Sequence, residues 1–439
     1  MSTVAERQDA YVSECQRFAV THASAPAWLR DLRQRGAGRF ASLGFPTTRQ
    51  EDWRFTPIAP IADTVFRVAE AAPTNAAELV KRVALSGAAR LVILNGHFSQ
   101  ELSSIEGLPT GTRALGLAAA IAAGAPECAY LGQASFELQP FVALNTAFLS
   151  DGVLLVVPAN AIIERPIHVI VISGGAGKVM AHPRSLVVMG RNSRASLVQT
   201  FLGGAGESHF TNAVTEVSVG DQAVLDLCTD QRETDSACHV ASFHVRTGRD
   251  STFRSRTVTL GGRLVRNDVT AVLGGEGGHA TIDGVYLVDG DRLVDNHTTI
   301  DHALPHCTSH ELYKGILDGK ARAVFNGRII VRQDAQKTDA KQTNRALLLS
   351  DEAQINSNPQ LEIFADDVKC THGAAIGQLD EEAMFYLRAR GLTFRDARDL
   401  LIHAYAGEVL SGIPVEALRV QLERELFVQL ERDLAAHEA

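Results

Sequence analysis

The chain has 439 residues, of which 45% are hydrophobic and 21% charged, and this ordinary balance argues against a wholly disordered protein. Its 42 basic and 51 acidic residues give a net charge of −9, so no overall basic field favours nucleic acid or an anionic membrane as a partner. We expect no secretory leader and no membrane-spanning helix, and hence a cytoplasmic protein. Six cysteines without a Cys-x-x-Cys pair predict free thiols, most of them buried.

The first part of the chain, residues 1–135, is predicted to be mostly helical. Apolar positions recur at helical spacing in residues 5–20 and again in residues 27–43. Trp53 follows in an aromatic, loop-like segment. We interpret it as an anchor that packs this region onto its neighbour rather than as a ligand-binding residue, because a single tryptophan in a loop specifies no ligand.

Residues 136–379 consist of short β-type runs separated by glycine-containing turns. No helical pattern of ten or more residues interrupts them, so alternating strands and helices are not expected. More than 200 residues of strands without a linker favour a β-solenoid over a sandwich, because each solenoid coil packs only on its neighbours. Within this core we expect Asn326, Gln342 and Asn344 to contribute to a stacked amide ladder.

Residues 380–439 are predicted to be helical again, with Asp380 and Thr393 as the caps of two successive helices. The helix after Thr393 carries an apolar face, and a last helix repeats leucine at every fourth position from Leu418 to Leu434. These amphipathic helices must cover an apolar surface, either of the chain's own solenoid or of a partner. The predicted apolar face after Thr393 consists of Phe394, Ala397, Leu400, Leu401, Ala404 and Tyr405.

By residue type, the most metal-like group is His302, His306, Cys307 and His310. Pro305 argues against a helix that would bring the first two together, and in a strand Cys307 would face away from the histidines on either side. We therefore favour separate packing and polar positions over a zinc site.

A second candidate site is formed by Cys370 and His372, which point to the same side of an extended segment. One thiol and one imidazole suit a soft metal or a sulfur species, but they leave at least two positions of a tetrahedral site open. Such a site needs ligands from another molecule. The alternative is a purely structural role, in which both side chains line the solenoid interior together with Val368.

Three common catalytic motifs are missing from the sequence: the Gly-x-x-x-x-Gly-Lys-Ser/Thr phosphate loop, a strand-borne Gly-x-Gly-x-x-Gly and the Gly-x-Ser-x-Gly elbow. We therefore expect no ATP site in this chain. A stand-alone β-helix hydrolase or lyase that uses His302, His306 or His310 with nearby carboxylates is the alternative function. A purely structural binding module is a third reading.

Several strings in the second half of the chain resemble the SufB/SufD family of iron–sulfur cluster assembly proteins. Within that family, Gly373 after His372 and the segment Glu51–Arg54 resemble the SufD branch. The strings are DHALPHC (301–307), ELYKGIL (311–317), VFNGRI (324–329), AQKTDA (335–340), NRALLLS (344–350) and LEIFADDVKC (361–370).

The resemblance implies a right-handed parallel β-helix flanked by helical N-terminal and C-terminal regions. It also implies a non-catalytic scaffold subunit that pairs with SufB through the β-helix and joins the ATPase SufC. His372, with Cys370 as the weaker candidate, would contribute to a nascent iron–sulfur cluster or to iron shared with SufB. Whether iron, sulfur or a reduced flavin binds this chain directly, and whether the chain forms a homodimer when alone, stays open.

For the SufC partner, the resemblance points to the C-terminal helical region. The residues that match this docking region are Thr393, Leu400, Leu401 and Tyr405.

Overall fold

The computed structural model describes residues 4–69, 73–133, 139–204 and 208–437, with side chains for residues 8–430 of these ranges. The fold class predicted from the sequence is confirmed: the chain is mainly β, with a parallel β-solenoid between helical regions at the two ends.

The N-terminal region combines helices with short strands, and short 3₁₀ turns lie at Glu51–Trp53 and Pro126–Tyr130. Pro26 and Gly44 flank the second helix, which therefore has the bounds that its apolar spacing predicts. The elements are α1 (Val4–Thr21), α2 (Ala27–Leu43), α3 (Ala59–Ala62), β1 (Arg67–Val68), α4 (Ala76–Val83), β2 (Ala89–Leu94), β3 (His97–Phe98), β4 (Arg113–Gly116), α5 (Leu117–Ala122) and α6 (Pro140–Ala147).

The solenoid strands are rich in β-branched and aromatic residues, and turns separate them. They are β5 (Gly152–Val157), β6 (Ile167–Ser173), β7 (Val179–Ala181), β8 (Arg184–Met189), β9 (Arg194–Gly203), β10 (His209–Val219), β11 (Val224–Arg232), β12 (Cys238–Thr247), β13 (Thr252–Thr259), β14 (Leu264–Leu273), β15 (His279–Val288), β16 (Leu293–His302), β17 (Thr308–Leu317), β18 (Arg322–Val331), β19 (Asp339–Leu348), β20 (Gln354–Ile363) and β21 (Lys369–Gly377).

Successive solenoid strands alternate between two sheets, except that β7 and β8 both pair with β10 in the first sheet, where β7 also pairs with β1. The first sheet has the order β20-β18-β16-β14-β12-β10-β8-β5-β4, and the second has the order β21-β19-β17-β15-β13-β11-β9-β6-β2-β3. Within each sheet the solenoid strands pair in parallel with the strand one coil away, as Ala213 of β10 does with Ala241 of β12. Since partners in register carry their side chains on the same side, equivalent positions form columns along the inside of the solenoid.

The outer face of the first sheet is covered by the N-terminal helical region. Trp53 is buried there against Phe141, and the guanidinium of Arg266 on β14 lies 3.8 Å above its ring centre. Arg266 Nη1 also donates to the backbone oxygen of Asp52 and to Asp295 Oδ2, each at 2.7 Å. Trp53 is therefore the packing anchor that the sequence suggests.

The outer face of the second sheet is covered by the C-terminal helices α8 (Phe394–Leu410) and α9 (Glu416–His437). The helix α7 (Glu381–Ala389) precedes them and contacts α8. As predicted, the side chain of Asp380 accepts hydrogen bonds at the start of α7, and that of Thr393 does so at the start of α8. The leucine repeat of α9 is buried on the sheet from Leu418 to Leu430, whereas the side chain of Leu434 lies outside the described residues.

Two expectations about packing are wrong. The amide ladder does not form, because Asn326 lies on the outer face of the first sheet whereas Gln342 and Asn344 are buried inside the second. On α8 the buried stripe includes Ala397 but is completed by Ile402, Ala406, Val409 and Leu410. Phe394 and Leu400 are exposed instead, because the apolar residues of this helix cover more of its circumference than one contact surface can bury.

Candidate functional site at the open end of the solenoid

The solenoid ends at β20 and β21, and no strand in the described part of the chain pairs with their outer edges. Each strand pairs on one side only, β20 with β18 and β21 with β19, within the residues that the structure describes. Their side chains are partly or fully exposed, whereas equivalent positions in the preceding coils are largely buried. Backbone N–H and C=O groups along such edges are available to pair with another chain.

His372 lies on this open end, on the inward side of β21. Its backbone is in register with that of Gln342 on β19, which in turn is in register with Glu311 on β17. The three side chains therefore belong to one interior column, of which Glu311 and Gln342 are buried and His372 is exposed. An imidazole in this position is accessible from outside the solenoid.

Cys370 shares the inward side of β21, as the parity of an extended segment predicts. It is half-buried against the apolar cluster that includes Ala340 and Ala365, and burial raises the pKa of its thiol. The thiol is thus held protonated, whereas the thiolate is the form that binds metals. Val368 packs against the same cluster, so a structural role in lining the interior fits Cys370 better than the exposed His372.

Behind His372, the column contains a buried hydrogen bond that sequence reasoning did not single out. Gln342 Nε2 donates to Glu311 Oε2 at 2.7 Å. Burial raises the pKa of Glu311 to about 7, against the effect of this hydrogen bond. Across the interior, Gly327 leaves the space that the Gln342 amide occupies, since a Cβ there would overlap Nε2. In the sequence, only the alternation of side chains along β17 and β19 indicates that Glu311 and Gln342 both face the interior.

The structure does not bring the other metal-like group together. His302 is buried with its Nε2 2.9 Å from Ser309 Oγ, and burial lowers its pKa to about 4. Cys307 donates its Sγ–H to the Gly275 oxygen at 3.3 Å, His306 is in a turn at φ 58°, and His310 is on the outer face of the second sheet. Across the described ranges, no three His, Cys, Asp or Glu side chains are arranged to hold a metal ion.

The four residues that match the SufC docking region have different environments. Thr393 caps α8, and Leu400 is 46% exposed. Leu401 and Tyr405 are partly buried, and the Tyr405 ring lies 4.3 Å from Nζ of the buried Lys314. Lys314 also donates to the Tyr405 backbone oxygen at 2.8 Å, so Tyr405 holds α8 on the chain's own solenoid.

Two further exposed aromatic residues, Phe385 and Tyr386, lie on the neighbouring helix α7. Phe385 is 75% exposed, and with Phe394 and Leu400 these residues give α7 and the start of α8 an apolar exterior. The sequence predicts only a capped helix here, so this exposed apolar surface was missed. No helix among the residues described is both long and apolar enough to cross a membrane.

Sequence comparisons identify similar proteins over almost the whole chain. Residues 171–405 match the family model described as SUF system FeS cluster assembly, SufBD core domain, and residues 8–169 match the SufBD protein N-terminal region. The chain is 34% identical over 410 residues to an iron–sulfur cluster assembly SufBD family protein of Synechocystis sp., covering 90% of each chain. It is 30% identical over 385 residues to the iron–sulfur cluster assembly protein SufD of Escherichia coli, covering 86% of this chain and 88% of that protein.

Proposed function

This chain belongs to the SufBD family of iron–sulfur cluster assembly proteins, and we propose that it is a SufD-type scaffold subunit that completes its site only when a second chain covers the open end. The observation that carries this proposal is His372, an exposed imidazole on the inward side of the last strand. In this role the chain itself catalyses no reaction and binds no ATP.

SufB is the proposed partner at the open end. The free edges of β20 and β21 support parallel or antiparallel strand addition, and backbone pairing along two edges gives a continuous interface. His372 supplies one ligand to iron or to a nascent cluster, and SufB supplies the rest, because one imidazole cannot fill a tetrahedral coordination sphere. Cys370 assists only if metal binding overcomes the raised pKa of its thiol.

The test uses the complex co-purified with SufB and SufC, and measures iron and acid-labile sulfide after anaerobic reconstitution. His372→Ala is expected to abolish cluster formation while SufB and SufC still co-purify. His310→Ala is the matched control, since this exposed histidine lies on the outer face of the same sheet. Normal cluster formation by His372→Ala would refute the proposed role.

SufC is the proposed partner of the apolar exterior of α7 and α8. Deletion of these helices would be a poor test, because α8 and α9 also cover the second sheet. Leu400→Glu places a charge on the exposed face and is expected to weaken SufC association by at least about tenfold, as for loss of a well-packed anchor. Val420→Glu, on the exposed side of α9, is the control. Equal SufC binding by both variants would refute this docking surface.

A further inference from the structure

The Gln342 amide is fixed on one side and unsatisfied on the other. Its Nε2 is used by Glu311 Oε2, whereas its buried Oε1 has no hydrogen-bond partner among the described residues. A buried acceptor without a donor destabilises the folded chain, because it has lost its hydrogen bonds to water. A donor that reaches Oε1 when the open end is covered would remove this destabilisation.

The next strand offers one suitable donor. The inward-facing residues of β21 are Cys370, His372, Ala374 and Ile376, and among them only His372 carries a side-chain N–H. It is also the residue in register with Gln342. His372 is exposed in the free chain, so its ring has room to turn toward the column when a partner excludes water.

We propose that Gln342 is a positioning residue for His372: in the assembled complex, Gln342 Oε1 accepts the N–H of one ring nitrogen, and the other ring nitrogen faces the partner chain. Glu311 acts one step further back by holding the Gln342 amide. The inference rests on the proposed function of His372 and adds the group that orients it. Metal-binding histidines commonly depend on such an acceptor for their tautomer and ring orientation.

The chain provides a matched pair of positions for the test. Asn344 lies two residues along β19 on the same inward side, is equally buried and also has an unpartnered amide oxygen. Its register partner on β21 is Ala374, which has no side-chain donor. Gln342→Leu and Asn344→Leu therefore both remove a buried amide, but only the first removes an acceptor next to His372.

The experiment measures the Fe²⁺ concentration that gives half-maximal cluster formation in the complex with SufB and SufC, together with the maximal amount formed. Gln342→Leu is expected to raise this concentration about 10–100-fold, the usual effect of losing a group that orients a ligand, and Asn344→Leu to leave it within about twofold. Gln342→Asn, which keeps both the amide donor and the acceptor oxygen on a shorter side chain, is expected to restore part of the loss. Thermal unfolding and co-purification check that both leucine variants fold and assemble.

Two results would overturn the inference, and they differ from failure of the proposed function. If His372→Ala abolishes cluster formation but Gln342→Leu behaves like Asn344→Leu, His372 is a ligand that Gln342 does not position. If Gln342→Leu loses SufB while Asn344→Leu retains it, the role of Gln342 is structural. Normal cluster formation by His372→Ala would instead refute the proposed function itself.

Discussion

Replacement of Arg266 by methionine is expected to detach the N-terminal region from the solenoid. Methionine keeps much of the side-chain volume but removes the guanidinium that lies over Trp53 and bonds to Asp52 and Asp295. The main consequence falls on Asp295, whose side chain has 0% exposure and would keep only Thr56 and His297 as close partners.

The pKa of the Asp295 carboxylate gives the size of the expected loss of folding free energy. Burial alone would raise its pKa, but the charges of His297 and Arg266, with the hydrogen bonds, outweigh burial and lower the pKa from 3.8 to about 2. That difference corresponds to about 2 kcal/mol of folding free energy. Loss of the cation–π contact and of the bond to Asp52 adds to this, and breaking a buried pair typically costs about 3–5 kcal/mol. We expect a loss in that range at pH 7.

Urea unfolding followed by tryptophan fluorescence is the appropriate assay. The chain has two tryptophans, and Trp28 is already 41% exposed, so a Trp28→Phe background reports on Trp53 alone. Arg328→Met is the control, because Arg328 forms an exposed ion pair with Glu362 on the same sheet and is expected to contribute less than about 1 kcal/mol. Equal midpoints for the two methionine variants, with unchanged Trp53 emission, would contradict this account of the anchor.

Two more predictions concern buried charges elsewhere in the fold. Lys314→Met removes the bond to the Tyr405 oxygen and the ion pair with Glu408, and should make α8 cleavable at protease concentrations that leave the parent chain intact. Glu233→Gln should lower the unfolding free energy by about 3–5 kcal/mol, because the carboxylate lies 2.7 Å from buried His239 Nδ1. Burial opposes ionisation of Glu233, but the neighbouring histidines outweigh burial and depress the pKa of this carboxyl. The stabilisation is therefore fully present above about pH 4.3 and is lost at lower pH. The same difference in unfolding free energy between variant and parent at pH 7 and at pH 3 would contradict this prediction.

Much of the fold was accessible from the sequence because local signals and tertiary structure agree. The second helix is flanked by Pro26 and Gly44, and the solenoid strands are short apolar runs between turns. The repeat itself was not visible. The number of residues per coil varies along the chain. Ala213 pairs with Ala241, 28 positions later, whereas Gly315 pairs with Ala346, 31 positions later. Turns of variable length thus conceal a regular register of strands.

The candidate site was accessible only in part. Parity along an extended segment places Cys370 and His372 on one side, and the structure has this arrangement. The alternation of side chains does not identify the last coil of the solenoid. His372 is exposed because its strand belongs to that last coil. Nor does the alternation relate Glu311 to Gln342, because residues 31 positions apart become neighbours only through the coil register. Those contacts depend on the coil register and not on any local sequence pattern.

The last coil of a solenoid has strand edges without a neighbouring strand, and another chain can bind to them. Each strand of an inner coil pairs with a strand on both sides, but β20 and β21 have one neighbour each among the described elements. An isolated chain therefore exposes unpaired strand edges, an imidazole and the base of a polar column at one surface. A hydrolytic enzyme would need a formed cavity with converging groups, whereas His302, His306 and His310 lie apart. In the proposed scaffold role, a surface with unpaired strand edges and a single imidazole becomes functional only when a second chain covers it.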